Sequence, residues 1–265
     1  MHFNEEDLDY FIKNIYNENI YFNSGCMSSV DMFTLFIALK NIKPKFVIES
    51  GVWQGSSTYI IRKTLGPETI IICLDPLNLP ENSWRDKNEN TKYLIGEKFI
   101  DFKNLDISMY NSKDIFAFFD DHQNAISRIL QCYNKNIKNI LFNDNYPSNC
   151  GSHFTIEHFL NDDFRNIENK DANDISNINN IDIKLYDKNI EDSSIKLNYD
   201  YNKLNIINLF NNYYIFPNIF PGKIKTSEGF FSCESFFTDN NKSNKYKIYF
   251  EHQSNYRWNT LLILK

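Results

Sequence analysis

Phe46-Val-Ile-Glu-Ser-Gly-Val-Trp-Gln-Gly-Ser-Ser-Thr58, followed by Ile70-Ile-Ile-Cys-Leu-Asp75, is the stretch that decides how this chain folds. It reads as an apolar strand, a turn with two glycines, a helix, and a second apolar strand that ends on an acid. Val47 and Ile48 close the first strand. Gly51 and Gly55 let the backbone turn sharply and approach a ligand without a Cβ in the way. The helix that begins near Ser56 aims its unpaired N–H groups and its positive dipole end at whatever rests on the turn. Asp75, at the tip of the next strand, is placed to accept hydrogen bonds from a ribose diol. Open α/β sheets bind nucleosides in this way, beyond the carboxyl ends of their strands.

The glycines are four residues apart, so this is not the Gly-x-Gly-x-x-Gly dinucleotide fingerprint. An acid two residues before the first glycine, Glu49, suits a cationic or amino-acid-bearing ligand better than a pyrophosphate. The run Glu-x-Gly-x-x-x-Gly-x-Ser-Thr resembles motif I of the class I S-adenosylmethionine (SAM)-dependent methyltransferases, and Asp75 resembles their ribose-binding acid. The resemblance implies a doubly wound, mainly parallel seven-stranded α/β sheet with helices on both faces and an antiparallel C-terminal strand pair, a Rossmann-like fold. It also implies SAM as cofactor, held by Glu49, Gly51, Gly55, Ser56, Ser57, Asp75 and Asp120.

The 265 residues suffice for one substantial core, and a single methyltransferase-like domain over 1–265 is expected. Within it we distinguish N-terminal helices (1–44), a SAM and metal core (45–160), a polar insertion or cap (161–200), and a closing helix with strands (201–265). The net charge of −6 and the absence of a Lys/Arg cluster argue against a nucleic-acid partner. No apolar run reaches the ~18 residues of a membrane helix. The acidic start, Met-His-Phe-Asn-Glu-Glu, lacks a signal-peptide core. Five widely spaced cysteines without Cys-x-x-Cys suggest neither a zinc knuckle nor a disulfide framework, so a reduced, cytoplasmic setting is expected. Homo-oligomerisation stays open.

Leu8, Phe11, Ile12 and Ile15 predict a helix within 1–24, and Ser29 or Asp31 is a plausible cap for the helix through Met32 and Leu39. Strands are expected at 45–50, 69–75, 99–107, 114–119 and 138–142, with helices at 56–65, after Asn124, and from about Ser152. Residues 76–98 read as a polar connection. A helix over Lys203–Phe210 precedes two strands expected to pair with each other, Lys245–Phe250 and Arg257–Leu264.

Two further strand ends carry acids: Asp120-Asp121 and Asp144-Asn145. In a doubly wound sheet they open on the same crevice as Gly51. Carboxylates with a carboxamide oxygen form a hard site suited to Mg²⁺, Mn²⁺ or Ca²⁺ rather than Zn²⁺, although Asp and Asn also serve as ordinary turn residues. The pattern resembles the catechol-type O-methyltransferases. That resemblance implies a divalent metal, Mg²⁺ first, on Asp121, Asp144 and Asn145. It also resembles, more loosely, sugar O-methyltransferases and the cephalosporin-hydroxylase-like group, where Asp120 would replace Asp121. The Lys base of catechol-type enzymes is replaced by Asn124, which leaves His122 as the natural base beside Asp121. His153 and His158 fit a helix face or the substrate rim.

The reading that follows is SAM-dependent O-methylation of a hydroxyl on a small molecule, sugar or glycan. The alternative is a SAM-fold protein that binds without turnover. A hydroxylase would need a facial triad of two histidines and one carboxylate, and none is evident.

Overall fold

The computed structural model describes residues 3–16, 27–147, 151, 153–161, 180–183, 195–198, 203–221, 223–226, 229–232, 234–238, 245–246 and 258–265. Five strands fill the first part of the chain: β1 (Phe46–Ser50), β2 (Ile70–Asp75), β3 (Thr91–Ile95), β4 (Ile115–Phe119) and β5 (Asn139–Phe142). Then come β6 (Asn180–Ile183), β7 (Ile195–Asn198), β8 (Phe210–Ile215), β9 (Lys223–Thr226), β10 (Gly229–Ser232) and β11 (Thr260–Leu264). The helices are α1 (Glu5–Asn14), α2 (Ser29–Ile42), α3 (Ser56–Leu65), α4 (Ala125–Asn134), α5 (Ile156–Leu160) and α6 (Lys203–Ile207).

Seven strands form one sheet in the order β3-β2-β1-β4-β5-β11-β8. β1 to β5 are parallel, and β11 runs antiparallel to both β5 and β8. This is the mainly parallel sheet with an antiparallel closing pair that the methyltransferase resemblance implies. The central strands are apolar without interruption because both faces are covered. Val47, Ile71, Phe116 and Leu141 pack with Leu8 and Phe11 of α1, Leu35 of α2 and Ile60 of α3. Phe46, Ile48, Ile72, Ala117 and Ile140 face the other way, onto Ile126 and Ile129 of α4 and Ile156 of α5. Among the described residues, no helix is long and apolar enough to cross a membrane.

Several local expectations are corrected. The third strand lies at Thr91–Ile95, inside the stretch read as a polar connection. As an edge strand it buries only Leu94 fully, so its apolar signal is short. Residues 99–107 hold a single 3-10 turn instead, because Asp101 and Asp106 accept hydrogen bonds from the backbone N–H two residues on and stop extension. Ser28, not Ser29, caps α2, with Asp31 as its reciprocal partner. α1 ends at Asn14 with Ile15 as its C-cap, and α5 starts at Ile156, capped by Thr155. The partner of the closing strand is β8. Lys245 and Tyr246 form a helical turn, and the rest of the expected strand 245–250 lies outside the described residues. Exposed Asn211 and Asn212 hide the strand pattern of β8.

Leu262 is fully buried in β11, opposite Ile140 and Tyr213. We expect Leu262→Ala to cost roughly 2–5 kcal/mol, read from urea unfolding. A loss below about 1 kcal/mol would contradict a closing strand packed into the core.

Candidate active-site crevice

The turn after β1 is dictated by neighbouring backbone. Gly51 has φ +90°, and a Cβ there would stand 2.3 Å from the carbonyl oxygen of Asp120. Gly55 has φ +80°, and its Cβ would stand 2.1 Å from the carbonyl oxygen of Trp84. The sequence reading gave both glycines to ligand approach. In the structure each makes room for another strand end or loop of the protein itself. Gly55 is also the N-cap of α3, with no side chain to cap it. The first N–H groups of α3, beginning at Ser56, therefore end the turn without a side-chain partner at the cap.

Asp75 stands at the tip of β2, as expected. Its Oδ2 accepts from the N–H groups of Val52 and Trp53, each at 3.0 Å, and its Oδ1 accepts from Leu77 N–H at 2.9 Å. One carboxylate thus laces the glycine turn to the end of β2. Trp53 and Leu77, whose N–H groups it holds, leave their side chains 43% and 50% exposed.

Glu49 and Ser57, expected as cofactor contacts, meet each other inside the protein. Glu49 is fully buried and accepts hydrogen bonds from Ser57, from Thr58 at 2.7 Å and from the Cys73 thiol at 3.2 Å. Burial pushes its carboxyl up to about 7 against those donors. Burial also pushes the Cys73 thiol well up. Glu49 therefore ties β1 to α3 and β2 beneath the turn.

A second group of side chains gathers at the ends of β4 and β5. Donor atoms of Asp120, His122 and Asp144 all lie within 4.8 Å of one another. His122 Nε2 meets Asp144 Oδ2 at 2.8 Å. Asn143 Nδ2 donates to Asp120 Oδ1 at 2.8 Å, while the Asn143 Oδ1 atom is buried without a hydrogen-bond partner. Burial, and then the neighbouring Asp144, pushes Asp120 up to about 8. The hydrogen bond to Asp144 raises His122 to about 9. His153 stacks on His122, with ring centroids 5.4 Å apart and planes 13° apart, and burial lowers it to about 4.

The structure does not bring Asp121 or Asn145 into this group. Asp121 turns back into the protein, where Oδ2 accepts from Ser50 Oγ at 2.6 Å and from Arg128 at 2.8 and 3.0 Å. Asp121, expected as a catalytic residue and metal ligand, thus stands outside the cluster, and its neighbour Asp120 stands in it. Asn145 is used up as a brace. Its Nδ2 donates to Thr260 Oγ1 and Tyr213 OH, and its Oδ1 accepts from the N–H of Ile156 at the start of α5. Asn124, in the place of a catechol-type lysine, caps α4 by accepting from Ser127 N–H. His158 is fully buried and accepts from Thr155 N–H through Nδ1.

Arg128 is a neighbour of Asp121 that the sequence reading did not single out. It lies buried on α4, forked between Asp121 and Asp101 and between the rings of Phe102 and Phe119. The signal was an arginine on the face that carries Ala125, Ile129 and Cys132.

No family model matches the sequence, and no curated protein matches it. Among solved structures the chain is similar to cofactor-bound Rv0187 from MTB, at 10% identity and a TM-score of 0.40 over 98% of this chain and 90% of that one. It is also similar to the O-methyltransferase from Bacillus cereus in complex with SAH, at 10% identity and a TM-score of 0.39 over 100% and 93%. What the chain can do is decided by the side chains of its crevice.

Glu49 supplies a test of the packing under the turn. Its folded value of about 7 lies above the ordinary 4.5, so the folded state binds more protons between those values. Stability from this group is fully present below pH 4.5 and is lost as pH rises to about 7. Relative to a Glu49→Gln variant, the native chain should lose up to about 3 kcal/mol across that window. Thermal unfolding of both proteins at pH 4.5, 6 and 7.5 measures it. A difference that stays constant with pH would mean the carboxyl ionises as freely in the fold as outside it.

Proposed function

We propose that the chain is a SAM-dependent O-methyltransferase acting on a hydroxyl of a small molecule or sugar, with a divalent cation assisting at the crevice. The observation that carries this is the meeting of two sites on one rung of the sheet. The turn expected to hold the methyl donor touches, at Gly51, the carbonyl of Asp120, which opens the Asp120–His122–Asp144 group. Donor and acceptor machinery are then neighbours by construction.

In this reading, Gly51, Gly55, Asp75 and the uncapped start of α3 at Ser56 hold the cofactor's amino-acid and ribose parts. SAM, when bound, would supply an electrophilic methyl group, and the residues of the crevice would align the acceptor hydroxyl with it and take up the proton that the hydroxyl loses. Alignment and exclusion of water supply much of the acceleration. His122, whose ring Asp144 holds through Nε2, faces the open side of the crevice, where it would orient the acceptor and help hold the cation. Its side chain is 54% exposed, which leaves it accessible to an acceptor.

The donor set fits a divalent cation. The 2.8 Å between His122 Nε2 and Asp144 Oδ2 is close to the roughly 3 Å edge of a shell with bonds near 2.1 Å. Asp120, His122 and Asp144 would hold it, and when bound it makes a hydroxyl more acidic.

Calorimetric titration of SAM into the purified chain tests the reading, and saturable one-to-one binding in the micromolar range is expected. Asp75→Ala should weaken binding by about tenfold or more, the worth of a charged hydrogen bond. His122→Ala should leave SAM affinity intact. It should slow transfer of labelled methyl to a panel of nucleotide sugars, glycans and catechols by roughly 10²–10⁴-fold. Absence of SAM binding removes the methyltransferase assignment, and binding without transfer to any acceptor favours a non-catalytic SAM-fold protein.

A further inference from the structure

The geometry points to a first-row transition cation, of the Mn²⁺ to Zn²⁺ series, rather than Mg²⁺ as the ion that the Asp120–His122–Asp144 group selects. This deepens the reading above by naming the ion class of the same site, but the binding it concerns needs neither SAM nor acceptor.

Selection rests on which side chains reach the cluster and which do not. Hard all-oxygen sites suit Mg²⁺, and an imidazole nitrogen shifts preference toward the transition ions. The oxygen-only set expected from sequence required Asp121 and the Asn145 carboxamide. Asp121 is held by Ser50 and Arg128. The Asn145 oxygen is occupied by the N–H at the start of α5. What remains is two carboxylates and one imidazole. Their donor atoms span no more than 4.8 Å, little beyond the roughly 4.2 Å across a shell with bonds near 2.1 Å. A small inward closure would complete the contact.

Two more observations support a built site. Asn143 Nδ2 fixes Asp120 Oδ1, as an outer partner does for a ligating carboxylate. The Asn143 Oδ1 atom beside it is buried without a partner, a polar atom that a cation's bound water would satisfy. His122 also holds φ +53° and Asp144 φ +57°. Asn is at ease in that left-handed region, so His122→Asn removes the imidazole without disturbing the turn.

The test uses the full chain, stripped with a chelator and then titrated with Co²⁺, Mn²⁺ or Mg²⁺ alone. One Co²⁺ per chain is expected, with a visible d–d band, bound at least about 100-fold more tightly than Mg²⁺. His122→Asn, with its circular dichroism unchanged, should lower the preference for Co²⁺ to below about tenfold while Mg²⁺ affinity holds. Asp144→Asn should weaken both ions. The inference is overturned if Mg²⁺ binds as tightly as Co²⁺, if Co²⁺ affinity and spectrum ignore His122→Asn, or if no ion binds at millimolar concentration. Those outcomes leave the methyltransferase reading standing on the SAM titration, and loss of SAM binding leaves the ion result standing by itself.

Discussion

The site depends first on a backbone contact between β1 and β4. Ser50 pairs with Phe119 at the last rung of their parallel ladder, and Asp120 N–H donates to the Ser50 carbonyl at 2.8 Å. The next residue on β1 must turn away under the Asp120 carbonyl, and only a residue without Cβ does so at φ +90°. Spacing between the glycine turn and the carboxylate group is therefore set by the sheet ladder, which is stiffer than any pair of side chains. A change at position 51 would displace both sites at once, because the obstructing atom belongs to the second of them.

The second constraint is how two consecutive carboxylates are divided. Past the end of a strand, Asp120 and Asp121 send their side chains opposite ways, so one faces the crevice and the other the interior. A carboxylate sent inward needs a counter-charge, and Arg128 provides it through the same fork that reaches Asp101. Burial alone would raise Asp101, and the guanidinium beside it holds it below the ordinary carboxylate range instead. Buried pairs of this kind add little net stability, yet breaking one leaves an uncompensated charge that typically costs about 3–5 kcal/mol. Arg128 thereby fixes which of the two acids the crevice receives.

This division explains what could be read from the sequence and what could not. The buried parallel strands were legible because both of their faces are apolar, and β1, β2, α3 and β5 fall within a residue or so of their expected bounds. Edge strands β3 and β8 were not, since half of each strand meets water and its alternation fades. At the site, residue type and strand end were legible and side-chain direction was not. Asp120, His122 and Asp144 come together. Asp121 and Asn145, each adjacent in sequence to one of those, are consumed by Arg128 and by the start of α5. Glu49 carried the motif that suggested the fold, yet its carboxylate lies under the turn among hydroxyls and a thiol.

Neighbouring residues with opposite fates arise because the turn and the chemistry draw on the same residue types. His122 and Asp144 both sit in the left-handed region, which Asn, Asp and His tolerate better than other side chains. A turn after a buried parallel strand therefore favours these residues whether or not they act on a ligand. Charge separates the two cases. Asp121 is largely covered and paired with a cation of the protein, so its role is accounted for within the fold. Glu49 is buried among neutral donors and avoids the cost by holding its proton more tightly. Asp120 and Asp144 share one neighbourhood, with an exposed imidazole between them, and each disfavours the other's charge. The fold thus gives the inward acid an arginine, while the outward pair shares the His122 imidazole, 2.8 Å from Asp144.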